Sequence, residues 1–211
     1  MQSFDVMLSE AETSVIRIIS LTGFMGCGKS SIGRKLSALL SCSLVDLDEY
    51  IESKEGRPIT EIFKAGGEAA FRAIERSCLS EILSTGPASM LSQNDRKNDG
   101  RILVISLGGG TLTTPECAEL VSERTTCIYL RATIDTLVQR LEKDYGNRPM
   151  LTGGQSGHDM ESLRSRIEEL IQKRSAVYEE TAHYIIDIDG RTDSDIVKEI
   201  VDMLQAFSRG R

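Results

Sequence analysis

A chain of 211 residues, 40% hydrophobic, can bury the core of one ordinary domain. Its net charge of −7 argues against a nucleic-acid partner but leaves room for a small anion held by local arginines. No apolar run reaches bilayer length, and the opening MQSFDVMLSEAETS lacks the basic and apolar regions of a signal peptide, so a cytoplasmic protein with no membrane partner is expected.

Residues 1–13 read as a short tail and 14–211 as a single domain. Val15-Ile16-Arg17-Ile18-Ile19 is a buried-strand pattern, followed by Gly23-Phe24-Met25-Gly26-Cys27-Gly28-Lys29-Ser30 and a helix with Ile32, Leu36, Leu39 and Leu40 on one face. Ser43 to Asp48 reads as a short strand ending in two carboxylates. Glu49 to Lys54 predicts a brief helix stopped by Gly56 and Pro58. Thr60 can cap a turn that Gly66-Gly67 breaks, and a second helix is predicted from about Glu68 to Leu83, with Phe71, Ile74, Cys78, Leu79 and Ile82 aligned. The polar stretch 84–100 reads as a surface loop.

Ile102 to Ile105 is a buried strand that runs into Gly108-Gly109-Gly110, and Thr114-Pro115 opens another helix. Cys127 to Leu130 is a fourth strand, and Thr133 caps a helix whose Ile134, Leu137, Val138 and Leu141 face inward. The glycine-rich stretch about 144–159, with Arg148-Pro149-Met150-Leu151, is long enough for a lid. A long helix over about 161–179, a strand Tyr184–Ile188 and a last helix capped by Asp193 or Ser194 complete the chain. Five apolar strands alternating with helices predict an α/β fold with a parallel sheet covered on both faces. A monomer is expected, since no extra apolar stripe is visible. Five scattered cysteines without a C-x-x-C pair fit reduced thiols.

The stretch 23–30 fits G-x-x-x-x-G-K-[ST], the phosphate-binding P-loop, in the strand–loop–helix context that the motif needs. Its glycines let backbone N–H groups turn onto phosphate oxygens, and the helix start adds the positive end of its dipole. Lys29 offers a charge to the β- and γ-phosphates and Ser30 a hydroxyl to Mg²⁺. In open α/β sheets ligands collect at the carboxyl ends of the strands, so the P-loop, Asp46/Asp48 and Gly108–Gly110 are expected to share one crevice. On an extended segment Asp46 and Asp48 point to the same side. One would complete the shell of Mg²⁺ and the other would orient or deprotonate an attacking hydroxyl; the alternative is a pair of strand-end acids that cap the next helix.

Three arginines stand out by position. Arg72 flanks an apolar face that contains Glu75, either as a structural ion pair or with Glu75 aiming the guanidinium at a ligand carboxylate. Arg174 falls among Leu163, Ile167, Leu170, Ile171 and Tyr178 and needs an anion, either an inward acid or a ligand. Arg140 points away from its apolar face, as a solvated residue or one that stacks on a base. His158 and His183 match no metal spacing.

Taken together, GFMGCGKSS at 23–31, VDLDEYIE at 45–52, FRAIE at 71–75, LGGG at 107–110, RPML at 148–151 and RSAVYEETA at 174–182 resemble the shikimate kinase family, in the family's order. The resemblance implies Mg²⁺-dependent transfer from ATP, as co-substrate, to the 3-hydroxyl of shikimate. It implies the nucleoside monophosphate kinase-like P-loop fold, with strand order 2-3-1-4-5, a lid and a substrate-binding helical region. It implies Gly26, Cys27, Gly28, Lys29, Ser30 and Ser31 around the phosphates, with Arg140 and Arg191 near the adenine. Ser30 and Asp46 would serve Mg²⁺. Asp48, Arg72, Gly108, Gly109, Gly110 and Arg174 would hold shikimate, and Lys29, Asp48 and Arg148 would act on the transferring group. The 84–100 loop is longer than the family usually carries, the tail is extra, and Met150 stands where leucine is commoner. The competing readings are a gluconate kinase-like enzyme and a nucleotide-binding module without transfer.

Overall fold

The computed structural model of the chain describes residues 17–85, 102–142 and 160–209. The expected tail, nearly all of the 84–100 loop and the expected lid with Arg148 lie outside the described residues.

Apolar, β-branched runs form five strands: β1 (Arg17–Thr22), β2 (Ser43–Asp46), β3 (Ile102–Ser106), β4 (Thr126–Arg131) and β5 (Tyr184–Asp187). They make one parallel sheet in the order β2-β3-β1-β4-β5, as expected. The middle strand β1 sets Ile19 opposite Val104 of β3 and Leu21 opposite Ile128 of β4. Successive β1 residues go to opposite faces, so Ile19 and Leu21 enter one core and Ile18 the other.

The helices are α1 (Lys29–Leu40), α2 (Leu47–Glu55), α3 (Ile59–Thr85), α4 (Pro115–Arg124), α5 (Ile134–Leu141), α6 (Met160–Thr181) and α7 (Asp193–Arg209). One core joins α1, α5 and α7 to the sheet, and the other joins α2, α3 and α4. Helix α6 belongs to both. Its Leu163, Ile167 and Leu170 pack in the first core and its Tyr178 in the second. Arg174 lies between Leu170 and Tyr178, where the helix passes from one core to the other, which accounts for an arginine within an apolar stripe.

Helix α3 is kinked at Gly67 (φ 71°, ψ −173°), where the glycine pair was expected to break it, and its second arm carries Phe71, Arg72 and Glu75. Two local expectations need correction. Asp48 is not on an extended segment with Asp46. Asp46 is the N-cap of α2 and accepts from Asp48 N at 3.2 Å, so Asp48 already sits in the first helical turn. The last helix is capped by neither Asp193 nor Ser194. Thr192 Oγ1 accepts from Asp195 N at 3.2 Å, because the residue just before the first turn is the one whose hydroxyl reaches an orphan N–H.

Candidate active site

The carboxyl ends of β1, β2 and β3 meet in one crevice. At the end of β1 the chain passes so close to β4 that a β-carbon on Gly23 would lie 2.6 Å from Leu130 O, and Gly28 caps α1 in the left-handed region (φ 98°). Lys29 folds back into the loop, donating to Gly23 O at 2.9 Å and Phe24 O at 3.1 Å, and is only 9% exposed. Arg140 reaches the loop from α5 and donates to Cys27 O at 3.2 Å and Gly26 O at 3.5 Å. It therefore braces the turn from behind.

Beside the loop, Ser30 Oγ donates to Asp46 Oδ2 at 2.6 Å, and Ser106 Oγ lies 3.4 Å from Ser30 Oγ. The sheet register produces this corner, since Asp46 and Ser106 are Cα partners at the ends of β2 and β3. These are hard oxygen donors, of the kind that suits a divalent cation which also keeps waters and phosphate oxygens. Among the described residues, no group of three or more His, Cys, Asp or Glu could hold a metal by itself. Ser31 turns its hydroxyl the other way, 2.6 Å from Asp193 Oδ2, which also takes Lys35 at 3.1 Å. The Ser31 hydrogen bond, with Lys35 added, holds the Asp193 carboxyl below its ordinary range.

Three side chains converge on Gly108, where a β-carbon would sit 2.9 Å from Asp48 Oδ1, 3.0 Å from Thr111 Oγ1 and 3.1 Å from Glu75 Oε1. Burial, then the neighbouring charges of Asp46 and Glu75, push the Asp48 carboxyl up to about 6, with Lys29 opposing. Glu75 is fully buried and held from two sides, by Thr111 Oγ1 at 2.6 Å and Arg72 Nη1 at 2.6 Å. Burial works against the Arg72 charge, but Glu75 and Glu68 outweigh it and its pKa rises. The guanidinium lies against Gly110, where a β-carbon would be 2.3 Å from Nη2.

The glycine run separates two halves of the crevice. A β-carbon on Gly109 would meet Met25 N of the P-loop at 3.1 Å, while Gly110 meets Arg72. Gly109 O accepts from Arg174 Nη1 at 3.2 Å and from the Tyr178 hydroxyl. The Arg174 guanidinium also lies over the Phe24 ring, 5.9 Å from its centroid.

Gly26 to Ser30, Asp46, Asp48, Arg72, Gly108 to Gly110 and Arg174 thus come together, with Arg140 behind the loop and Ser31 engaged at its flank. Arg191 does not join them. It donates to Asp187 O at 3.1 Å and Asp195 O at 3.4 Å and pairs with Glu199, and no described contact links it to the P-loop. His183 is structural, its Nδ1 accepting from Cys127 N at 3.0 Å. Three contributors were not singled out from the sequence: Ser106, Thr111 and Tyr178. Each had a signal. Ser106 is a polar residue ending a central apolar strand, Thr111 directly follows the glycine run, and Tyr178 lies one helical turn after Arg174.

Residues 25–205 match the family model for shikimate kinase. The chain is 35% identical over 193 residues to a shikimate kinase of Thermus thermophilus, covering 92% of each. It is 37% identical over 172 residues to one of Zymomonas mobilis, covering 82% of this chain and 85% of that one. Among solved structures, the shikimate kinase from Acinetobacter baumannii in complex with shikimate aligns with a TM-score of 0.76 and 31% identity, over 93% of this chain and 96% of that one. A gluconokinase from Sinorhizobium meliloti aligns with a TM-score of 0.50 at 15% identity, over 92% of this chain and 94% of that one, a likeness of fold alone.

Proposed function

The chain belongs to the shikimate kinase family, and on that premise we propose that it transfers the γ-phosphoryl group of ATP to the 3-hydroxyl of shikimate, on the route to chorismate and the aromatic amino acids. The observation that carries the reading is the glycine run Gly108–Gly110, wedged between the P-loop at Met25 and an arginine–carboxylate cluster at Arg72. A phosphate cradle on one side and paired guanidinium groups on the other suit a phosphoryl donor facing an acceptor that bears a carboxylate.

In this reading the P-loop amides and Lys29 hold the β- and γ-phosphates, which requires Lys29 to leave the carbonyls of Gly23 and Phe24. Ser30 and Asp46 would hold Mg²⁺, which when bound neutralises phosphate charge. Arg72, aimed by Glu75, and Arg174 take the substrate carboxylate. Asp48 sits between the halves and accepts the proton of the attacking hydroxyl, so the oxygen lone pair is free as it reaches phosphorus. Arg148 would cover the transferring group, and Arg140 acts on the nucleotide half through the loop it braces. Phosphoryl transfer passes through a loose transition state, so positioning and charge neutralisation are the main work of these residues.

The test is a coupled ADP-release assay with shikimate, gluconate and nucleoside monophosphates offered in parallel. Shikimate-dependent turnover well above the other acceptors is expected. No turnover with shikimate overturns the reading.

A further inference from the structure

Three glycines in sequence have no side chains to fix their own dihedrals, so a run such as Gly108–Gly110 takes its direction from whatever binds it. The turn that follows holds the outer two carbonyls, Gly108 O through Thr111 N and Gly110 O through Thr113 N and Oγ1, and helix α6 holds the middle one. Arg174 and Tyr178, one turn apart on α6, both donate to the carbonyl of Gly109. Tyr178 is 1% exposed and takes no part in the transfer described above. A buried phenol needs a partner for its hydroxyl, and this one finds a loop carbonyl inside the site.

That carbonyl lies between the two arginines of the site. Gly109 O takes Arg174 Nη1 at 3.2 Å, and on the next residue a β-carbon would be 2.3 Å from Arg72 Nη2. Whatever holds the Gly109 peptide therefore sets how the loop spaces the two guanidinium groups.

We infer that Tyr178 is a positioning residue for the acceptor: its hydroxyl shares the Gly109 carbonyl with Arg174, so it holds the glycine run against the helix that carries Arg174 and sets how that guanidinium and Arg72 are spaced across the acceptor's carboxylate. This rests on the proposed kinase reading. Burial pushes the Tyr178 hydroxyl up, so it stays a donor throughout the working pH range.

The test replaces the hydroxyl and keeps the ring. In Tyr178→Phe the KM for shikimate rises about three- to tenfold, the change expected for one lost hydrogen bond, while the KM for ATP stays within about twofold. Placing 4-aminophenylalanine at 178, which restores a donor at the same point, brings the shikimate KM back. If the Phe variant yields too little folded protein, 4-fluorophenylalanine takes its place as the donor-free ring of similar size. Unchanged shikimate KM overturns the inference, as does a parallel rise in both KM values with a lowered Tm, which marks a purely structural tyrosine. Failure of the kinase reading itself is distinguishable, because wild-type protein would then show no shikimate-dependent turnover at all.

Discussion

Arg72 and Glu75 form an ion pair with one member inside and one at the crevice: Glu75 is fully buried, and Arg72 Nη1 lies 2.6 Å from its Oε2. Removing either partner has a different result. Arg72→Ala strands a buried carboxylate, which costs about 3 kcal/mol of stability and removes the proposed contact to the acceptor. Glu75→Gln keeps the shape but loses the charge that aims the guanidinium, so the shikimate KM rises about tenfold with a smaller loss of Tm. Thermal unfolding and steady-state kinetics on both variants check this. Equal losses of Tm would contradict it.

Asp48→Asn keeps the first turn of α2 and loses the proposed proton acceptor. Turnover is expected to fall by about 10²- to 10⁴-fold, the usual contribution of a positioned base. Affinity for ATP, measured by calorimetry, should survive. A collapse of ATP affinity would move Asp48 to the nucleotide half and undo its separation from Asp46.

The pH dependence follows from the same group. With its carboxyl pushed up to about 6, Asp48 is protonated below that value and cannot accept a proton. The acid limb of kcat/KM for shikimate is expected near pH 6, with the rate falling as pH drops through it. The stability sign is opposite. The folded pKa lies above the ordinary value of 3.8, so the contribution of Asp48 is fully present below about pH 4 and is lost as pH rises through about 6. An acid limb near 4 would exclude Asp48 as the ionisation that limits the rate.

Asp46 both caps α2 and accepts from Ser30. Asparagine caps as well as aspartate but carries no charge. Asp46→Asn should therefore leave Tm almost unchanged while raising the half-saturating Mg²⁺ concentration about 10- to 100-fold. Its lost charge also removes one cause of the raised Asp48 pKa, so the acid limb moves to lower pH. An unchanged Mg²⁺ titration would remove Asp46 from the metal corner.

At Gly110 a β-carbon would lie 2.3 Å from Arg72 Nη2 and 2.9 Å from its Cζ. Gly110→Ala displaces the guanidinium, so the shikimate KM should rise by at least about tenfold with ATP binding intact. Gly56→Ala is the control. Its φ (+66°) strains an alanine where the φ of Gly110 (−119°) does not, but the space around it is open, so it should lower Tm without touching either KM.

Much of this was legible in the residues. The apolar strand runs, the P-loop and the glycine run indicated the sheet and placed three chemistry-bearing loops at one edge, since parallel strands deliver their carboxyl ends together. The two anomalous arginines announced an anion by burying charge among apolar neighbours. What pattern could not supply was register and rotamer. Ser106 matters because it stands opposite Asp46 across two strands, and nothing local in sequence encodes that pairing. The extended reading of Asp48 failed because a carboxylate two residues earlier could cap and start the helix there. Arg140 turned back onto loop carbonyls, a contact across 113 positions of chain.

The hydrogen bond between Ser31 and Asp193 joins positions 162 apart in sequence. A ribosome making this chain presents the P-loop well before its flanking carboxylate. At about 5–20 residues per second, Asp193 follows the loop by roughly 10–30 s. Through that interval the nascent phosphate cradle exists without the contact that ties α1 to α7. The full nucleotide half can therefore close only after residue 193 has been made, and products truncated before that residue lack the contact.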